Sequence, residues 1–216
     1  MLLPYTIEVF FAAMTRYNAD HAVLVALLAV LSAVAFGLAV QGTRGVWQDR
    51  CVGAPLAAGA LMSGWAHQGG MMADLNFMAA VYAPVWIAQA ALLAAALIFR
   101  PQLQFTGPAD VARVGGLAIA ALGLFGHPLT LLALGTAPGS LPLAGSAPDA
   151  TTMLTAGLLA AAHGPRWLRL CLLLVPLAWG GVAGTSAYLL AFPLDYAVPA
   201  AALAAVALTL AGRRRG

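Results

Sequence analysis

The arginines of this chain are sorted. Between its apolar stretches, connections that carry arginine alternate with connections that carry none, and Arg16 in the first segment is the lone departure. Arg44 and Arg50 share one connection, Arg100 and Arg113 flank another, Arg166 and Arg169 mark a third, and Arg213, Arg214 and Arg215 close the chain. Segments 68–76, 135–150 and 191–196 hold none. Basic loops resist translocation across a bilayer, so the alternation marks a cytoplasmic side and speaks to class and orientation together.

Composition points the same way. The chain is 62% hydrophobic and 8% charged, against about 25% charged in an ordinary soluble domain. A soluble fold could not cover its surface with so few charges, whereas hydrocarbon needs no such cover. A spanning helix takes about 20 apolar residues, because ~30 Å of hydrocarbon is crossed at ~1.5 Å per residue. The sequence therefore predicts one all-α, polytopic membrane domain over 1–216, placed in a bacterial inner membrane. Its expected spans lie near 22–40, 51–67, 77–99, 114–134, 150–163, 167–190 and 197–212. That count puts the N-terminus outside and the C-terminus in the cytosol. The formal charge of +3 is dispersed over one membrane face, so the bilayer and not nucleic acid is the expected partner.

Residues 5–17 read as an amphipathic helix on the membrane surface, with Ile7, Phe10, Phe11 and Met14 on one face. Glu8 and the missing basic start argue against a signal peptide. The fifth span is the short one. Its apolar stretch Thr151 to Ala162 would extend only ~18 Å, which leaves a re-entrant hairpin and six spans as the alternative. The arginine alternation favours a full crossing.

The same topology gathers polar residues on the arginine-free side. Glu8, Asp20, Asp74, Asp149 and Asp195 fall there, each near a span end, as do His67 and, within the outer half of its span, His127. A vestibule built from His67, Met71, Met72, Asp74, Asn76, His127 and Asp149 is expected. Imidazole with thioether suits copper, and imidazole with carboxylate suits zinc or a proton relay. Against metal stands the absence of any His-x-x-His, His-Glu-x-x-His or Cys-x-x-Cys spacing. His67, Met71, Met72 and His127 are thus weak ligand candidates, and no cofactor is evident. An ionisable group inside a membrane is costly to keep, which makes His127 a functional candidate, although a histidine bonded to a neighbouring helix has the same signature. Asp149 is placed to cap the fifth span, and Thr151 and Thr152 give its first turn hydroxyls.

Gly115 and Gly123 share a stripe with His127, and Gly180 and Gly184 form a second small-residue surface. Both are expected at tight helix contacts, within the chain, in a homo-oligomer or with another membrane subunit. No nucleophile elbow, phosphate loop or dinucleotide fingerprint appears, so no enzyme is expected.

Phe10-Phe11, Tyr17-Asn18, Trp65-x-His67, Asn76, Pro148-Asp149-Ala150-Thr151-Thr152 and Thr155-x-Gly157-Leu158-Leu159 resemble a family of uncharacterised bacterial integral-membrane proteins of about this length, some labelled permeases. Members often carry Cys-Pro where this chain has Asp149-Ala150. The resemblance implies no known activity, but it singles out His67, Asn76, Asp149, Thr151 and Thr152 as one site. The functional expectation is a permease or binding protein for a small solute or ion; the alternative is a non-catalytic accessory or anchoring subunit. Reporter tags at residues 140 and 216 should report opposite compartments, and the same compartment for both would overturn the arginine map.

Overall fold

The structure, a computed structural model, describes residues 4–212, so the closing Arg213–Arg215 run lies outside the described residues. Those residues fold as helices joined by short connections. α1 (Ile7–Asp20) and α2 (Ala22–Gln41) are separated only by a break at His21. α3 begins as Val46–Met62 and continues through π-helical turns over Ser63–Met71. α4 covers Ala79–Phe99, and α5 covers Val111–Ala133 with π-helical turns at Leu122–Gly126. α6 is Pro148–Ala161, α7 is Arg166–Leu189, and α8 is Ala197–Ala211 after a 3-10 turn at Pro193–Tyr196.

Five helical segments are long and apolar enough to cross a membrane: α2, α4, α5, α7 and Pro193–Ala211. They carry large apolar side chains on their outer faces, among them Leu27, Val30, Val85, Leu92, Leu129, Leu174 and Leu203. In water such a surface is unfavourable by roughly 25 cal/mol per Å². Lipid removes that cost. The other two expected spans differ from each other. Every residue of α6 except Asp149 is buried, so protein shields it and it needs neither an exposed apolar surface nor full length. α3 runs on through its π-helical turns to Met71, burying Val52, Gly53, Leu56, Gly59 and Ala60 on one side and exposing Trp47, Leu61 and Trp65 on the other.

The bundle has two chemically different ends. At one, the Arg113 guanidinium donates to the carbonyls of Phe105 and, at 2.6 Å, Ala39. The Asp49 carboxylate there accepts from the Thr43 hydroxyl and the Phe105 N–H, and Gln104 pairs with His163 as an antiparallel bridge. Arg169 donates to the Ala162 carbonyl and Arg166 to that of Gly212. The arginine-bearing connections are thus tied together at one end. At the opposite end, Asn18 donates to the carbonyls of Gly139 and Leu141, and the Tyr17 hydroxyl donates to Ser146 at 2.7 Å. The apolar face of α1, Phe10, Met14 and Tyr17, packs on α3 and the 138–147 segment. Expected as a surface helix against lipid, α1 directs that face onto protein.

Segment 135–147 also departs from expectation. It reads as an irregular Gly/Pro/Ser-rich connection, yet Leu141, Ala144, Gly145, Ser146 and Ala147 are buried. Gly145, at φ +89°, passes so close to α2 that a Cβ there would meet the Ser32 hydroxyl at 2.9 Å. The loop enters the bundle and delivers the start of α6 to its middle. There Gly123 of α5 faces Ala150, Met153 and Leu154, while Gly116 faces Gly157 and Ala161 at the arginine end. The stripe expected at Gly115 and Gly123 is therefore Gly116 and Gly123, and Gly115 packs against Leu208 of α8. Gly180 and Gly184 both meet Pro199 of α8, so their surface is filled within the chain.

A Cβ on Gly116 would stand 2.6 Å from both the Ala161 nitrogen and the Gly157 oxygen, whereas Gly181 has nothing within 4 Å. Gly116→Val should lower stability by about 1–3 kcal/mol or more, the range for overpacking, and Gly181→Ala should change it little. Thermal unfolding in detergent, followed by circular dichroism, measures both. Equal melting of the two variants would refute the close α5–α6 contact.

Candidate functional site

Because α6 starts in mid-bundle, the side chains of its first turn face inward from an unusual depth. Ala147 holds the cap position, where it offers no side-chain bond, and Pro148 starts the helix, its missing N–H costing nothing there. Asp149 follows. The sequence expectation was a capping carboxylate, but the Asp149 carboxylate instead accepts from the Trp179 indole N–H at 2.7 Å. Trp179 stands in the middle of α7, roughly 15 Å of helix rise from its end at Leu189. Asp149 thus stands in the first turn of α6 but level with the middle of α7. It is an ionisable group well inside the bundle.

A cavity of about 50 Å³ opens beside it. That volume has room for about four waters. Asp149, Asp195, His67, Asn76, Tyr5 and Tyr82 contribute its polar lining. Met72, Gln68, Trp179 and Ser186 reach it as well, and Ile7 and Phe10 of α1 close one side. Of the residues expected in a vestibule, the structure brings His67, Met72, Asn76 and Asp149 to the cavity wall. It leaves Asp74 exposed and Met71 packed in the small apolar cluster under α1.

His127 stands one layer back. Its Nε2 lies 3.3 Å from the carboxylate of Asp195, which itself faces the cavity. Thr151 and Thr152 are not part of the lining. The Thr151 hydroxyl accepts from the Gly145 N–H at 2.9 Å, holding the entering loop against α6, and Thr152 is buried in the core. These two threonines build the element that presents Asp149.

The two imidazoles arrive on or beside π-helical turns, His67 within Ser63–Met71 and His127 directly after Leu122–Gly126. Such widened turns re-aim side chains and are frequent at functional sites. Gln68 donates to His67 Nδ1 at 3.2 Å, which puts the ring hydrogen on Nε2, and Nε2 finds no hydrogen-bond partner among the described residues. The cavity wall thus offers imidazole, phenol and amide donors opposite two carboxylates. Among the described residues, no three His, Cys, Asp or Glu side chains stand together as a metal-holding group, and His67 and His127 join no such cluster.

Sequence reasoning missed Tyr5, Tyr82 and Trp179. Their roles come from contacts across the fold: Trp179 stacks edge-on against Tyr82 and Trp86, each with ring centroids 5.6 Å apart. Nothing local to a lone indole in an apolar helix announces this. The Asp195 partnership with His127 likewise needed the α8 start to be placed beside α5.

Burial pushes the Tyr5 phenol up to about 12, with Asp149, Tyr82 and Asp195 adding to the rise. A raised phenol means that the fold favours the neutral form. This contribution to stability is complete below the ordinary value of 10.0 and is lost as pH climbs through about 12. In an alkaline absorbance titration, Tyr5→Phe should remove a component ionising near 12, and loss of a component near 10 instead would show Tyr5 to be open to solvent.

The family model for a family of unknown function, DUF6064, matches residues 7–216. The chain belongs to that family. No curated protein and no solved structure matches it.

Proposed function

We propose that this chain is a multi-pass protein of a bacterial inner membrane that binds, and passes, a small cation or cationic solute through the cavity beneath α1. Asp149 is the observation that carries this reading. A carboxylate is expensive to hold inside a membrane protein, and ionisable groups at such depth serve ion or solute pathways more often than packing. Asp149 and Asp195 face one cavity with two imidazoles nearby, His67 and His127. The Nδ1 of His67 accepts from Gln68 and its ring is thereby neutral, so His127, which stands beside Asp195, alone offsets the acids. When both acids are charged, negative charge is in excess, and a cation would balance it. The small cavity limits the occupant to an inorganic ion, ammonium or a methylated amine.

In the proposed orientation the arginine end faces the cytosol and α1 covers the periplasmic mouth. All seven expected passes would then cross, α6 within the shell of the others. For the accessory-subunit alternative, the glycine surface of α7 is shared: Pro199 packs on Gly180 and Gly184, and Gly181 keeps an open side. The proposal is of a non-catalytic protein.

Trp179 supplies the readout, since it donates to the carboxylate that the cation would engage. Titration of purified protein with sodium, potassium, ammonium and methylammonium should change its tryptophan fluorescence for at least one probe. Asp149→Asn should weaken that binding about 10- to 100-fold, the worth of a hydrogen bond to a charged group, and Trp179→Phe should abolish the signal. Equal affinity of the wild type and Asp149→Asn would sink the proposed role of the carboxylate.

A further inference from the structure

A second cavity lies at the opposite end of the bundle and is far larger, an open cleft of about 1090 Å³ between the starts of α5 and α7 and the end of α8. Its polar wall carries Arg166, Arg169 and His163, and its apolar wall carries Val111, Trp167 and Leu208. Arg166 and Arg169 are three apart on one helix, where like charges repel. Neither is ion-paired with a carboxylate among the described residues. Their observed bonds go to backbone carbonyls, Arg166 to Gly212 and Arg169 to Ala162.

Asp110, on the same wall, acts on the Arg169 guanidinium, but it is one carboxylate against the guanidiniums of Arg113, Arg166 and Arg169. Asp110 accepts from the Arg113 N–H at the start of α5, and the Arg113 side chain is turned to the carbonyls of Ala39 and Phe105. Positive charge at this rim is therefore in excess.

We infer that this cleft binds the phosphodiester headgroup of an anionic phospholipid from the leaflet at the arginine end. Charge alone would suit any phosphate. The lipid is favoured because the cleft wall is mostly apolar, opens between helices with exposed apolar surfaces, and exposes Trp167, an indole suited to the headgroup level. Its volume slightly exceeds the usual range for small-ligand pockets, so glycerol and the first acyl carbons fit with the headgroup. Basic pockets between transmembrane helices take anionic headgroups by this combination of charge and apolar wall.

The test is native mass spectrometry of the full chain in detergent with phosphatidylglycerol, phosphatidylcholine or inorganic phosphate added. The wild type should retain phosphatidylglycerol in preference to phosphatidylcholine, and inorganic phosphate should not displace it. Replacing both arginines, Arg166→Gln with Arg169→Gln, should weaken phosphatidylglycerol binding about thirtyfold, at the usual worth of a basic residue near anionic lipid. The control Arg44→Gln with Arg100→Gln removes equal charge at the same end but outside the cleft, and should leave binding within about twofold. Equal retention of the two lipids, displacement by inorganic phosphate, or an equal loss in the control would each overturn the inference. The wild-type comparison decides the matter even where the cleft variant fails to fold.

Discussion

The contact of α5 with α6 governs the rest of the structure. Gly116 and Gly123 on one helix, with Gly157 on the other, bring the two backbones together without intervening side chains. Dispersion between closely opposed backbones replaces the hydrophobic driving force that lipid does not supply between helices. The contact also sets a depth. It runs from Ala161 beside Gly116 to Ala150 beside Gly123, so α6 is used up at the middle of α5. The chain must cover the remaining distance to the far end without a helix.

That shortfall explains the buried loop. Irregular backbone at membrane depth is tolerated only where protein satisfies it. Segment 135–147 meets this condition with bonds from the Gly145 N–H to the Thr151 hydroxyl, from Tyr17 to the Ser146 carbonyl, and from Asn18 to the carbonyls of Gly139 and Leu141. Two of these donors belong to α1. The first helix is therefore part of what permits the loop to enter, and the loop is what permits Asp149 to sit beside Trp179. Cover, loop and carboxylate form one mechanical unit, and a change at Tyr17 would reach the cavity through the loop and the start of α6.

The gathering of arginines at one end of the bundle was legible in the sequence because it depends on charge alone. Arg113, Arg166 and Arg169 gather at one end as the alternation of basic connections required. The long lipid-facing helices were legible for the same reason, their apolar runs being continuous. What could not be read was anything set by burial within protein. A loop rich in glycine, proline and serine has the same composition whether it is solvated or enclosed. Gly115 and Gly116 are equivalent on a helical wheel to within one step, and the choice between them rests on where α6 and α8 lie. At the site, His67, Asn76 and Asp149 could be named from residue type and sidedness. Tyr82 and Trp179 could not, because a membrane-protein aromatic carries no mark of whether it meets lipid, another ring or a carboxylate.

The two ends of the bundle are electrically opposite, and the fold keeps them apart. At one, Asp149 and Asp195 share a small cavity beneath α1; at the other, Arg166 and Arg169 line an open cleft with no salt bridge to a carboxylate among the described residues. Helix α6 joins them, beginning at Asp149 and ending next to Ala162, whose carbonyl Arg169 holds. A carboxylate at the start of a helix and a guanidinium at its end both match the helix dipole. The same short, buried helix therefore stabilises each charge in place and fixes the distance between them. A displacement of α6 along its axis would move the acid out of reach of Trp179 and the carbonyl out of reach of Arg169 together, so the two ends are linked by a rigid element and not by a chain of side chains.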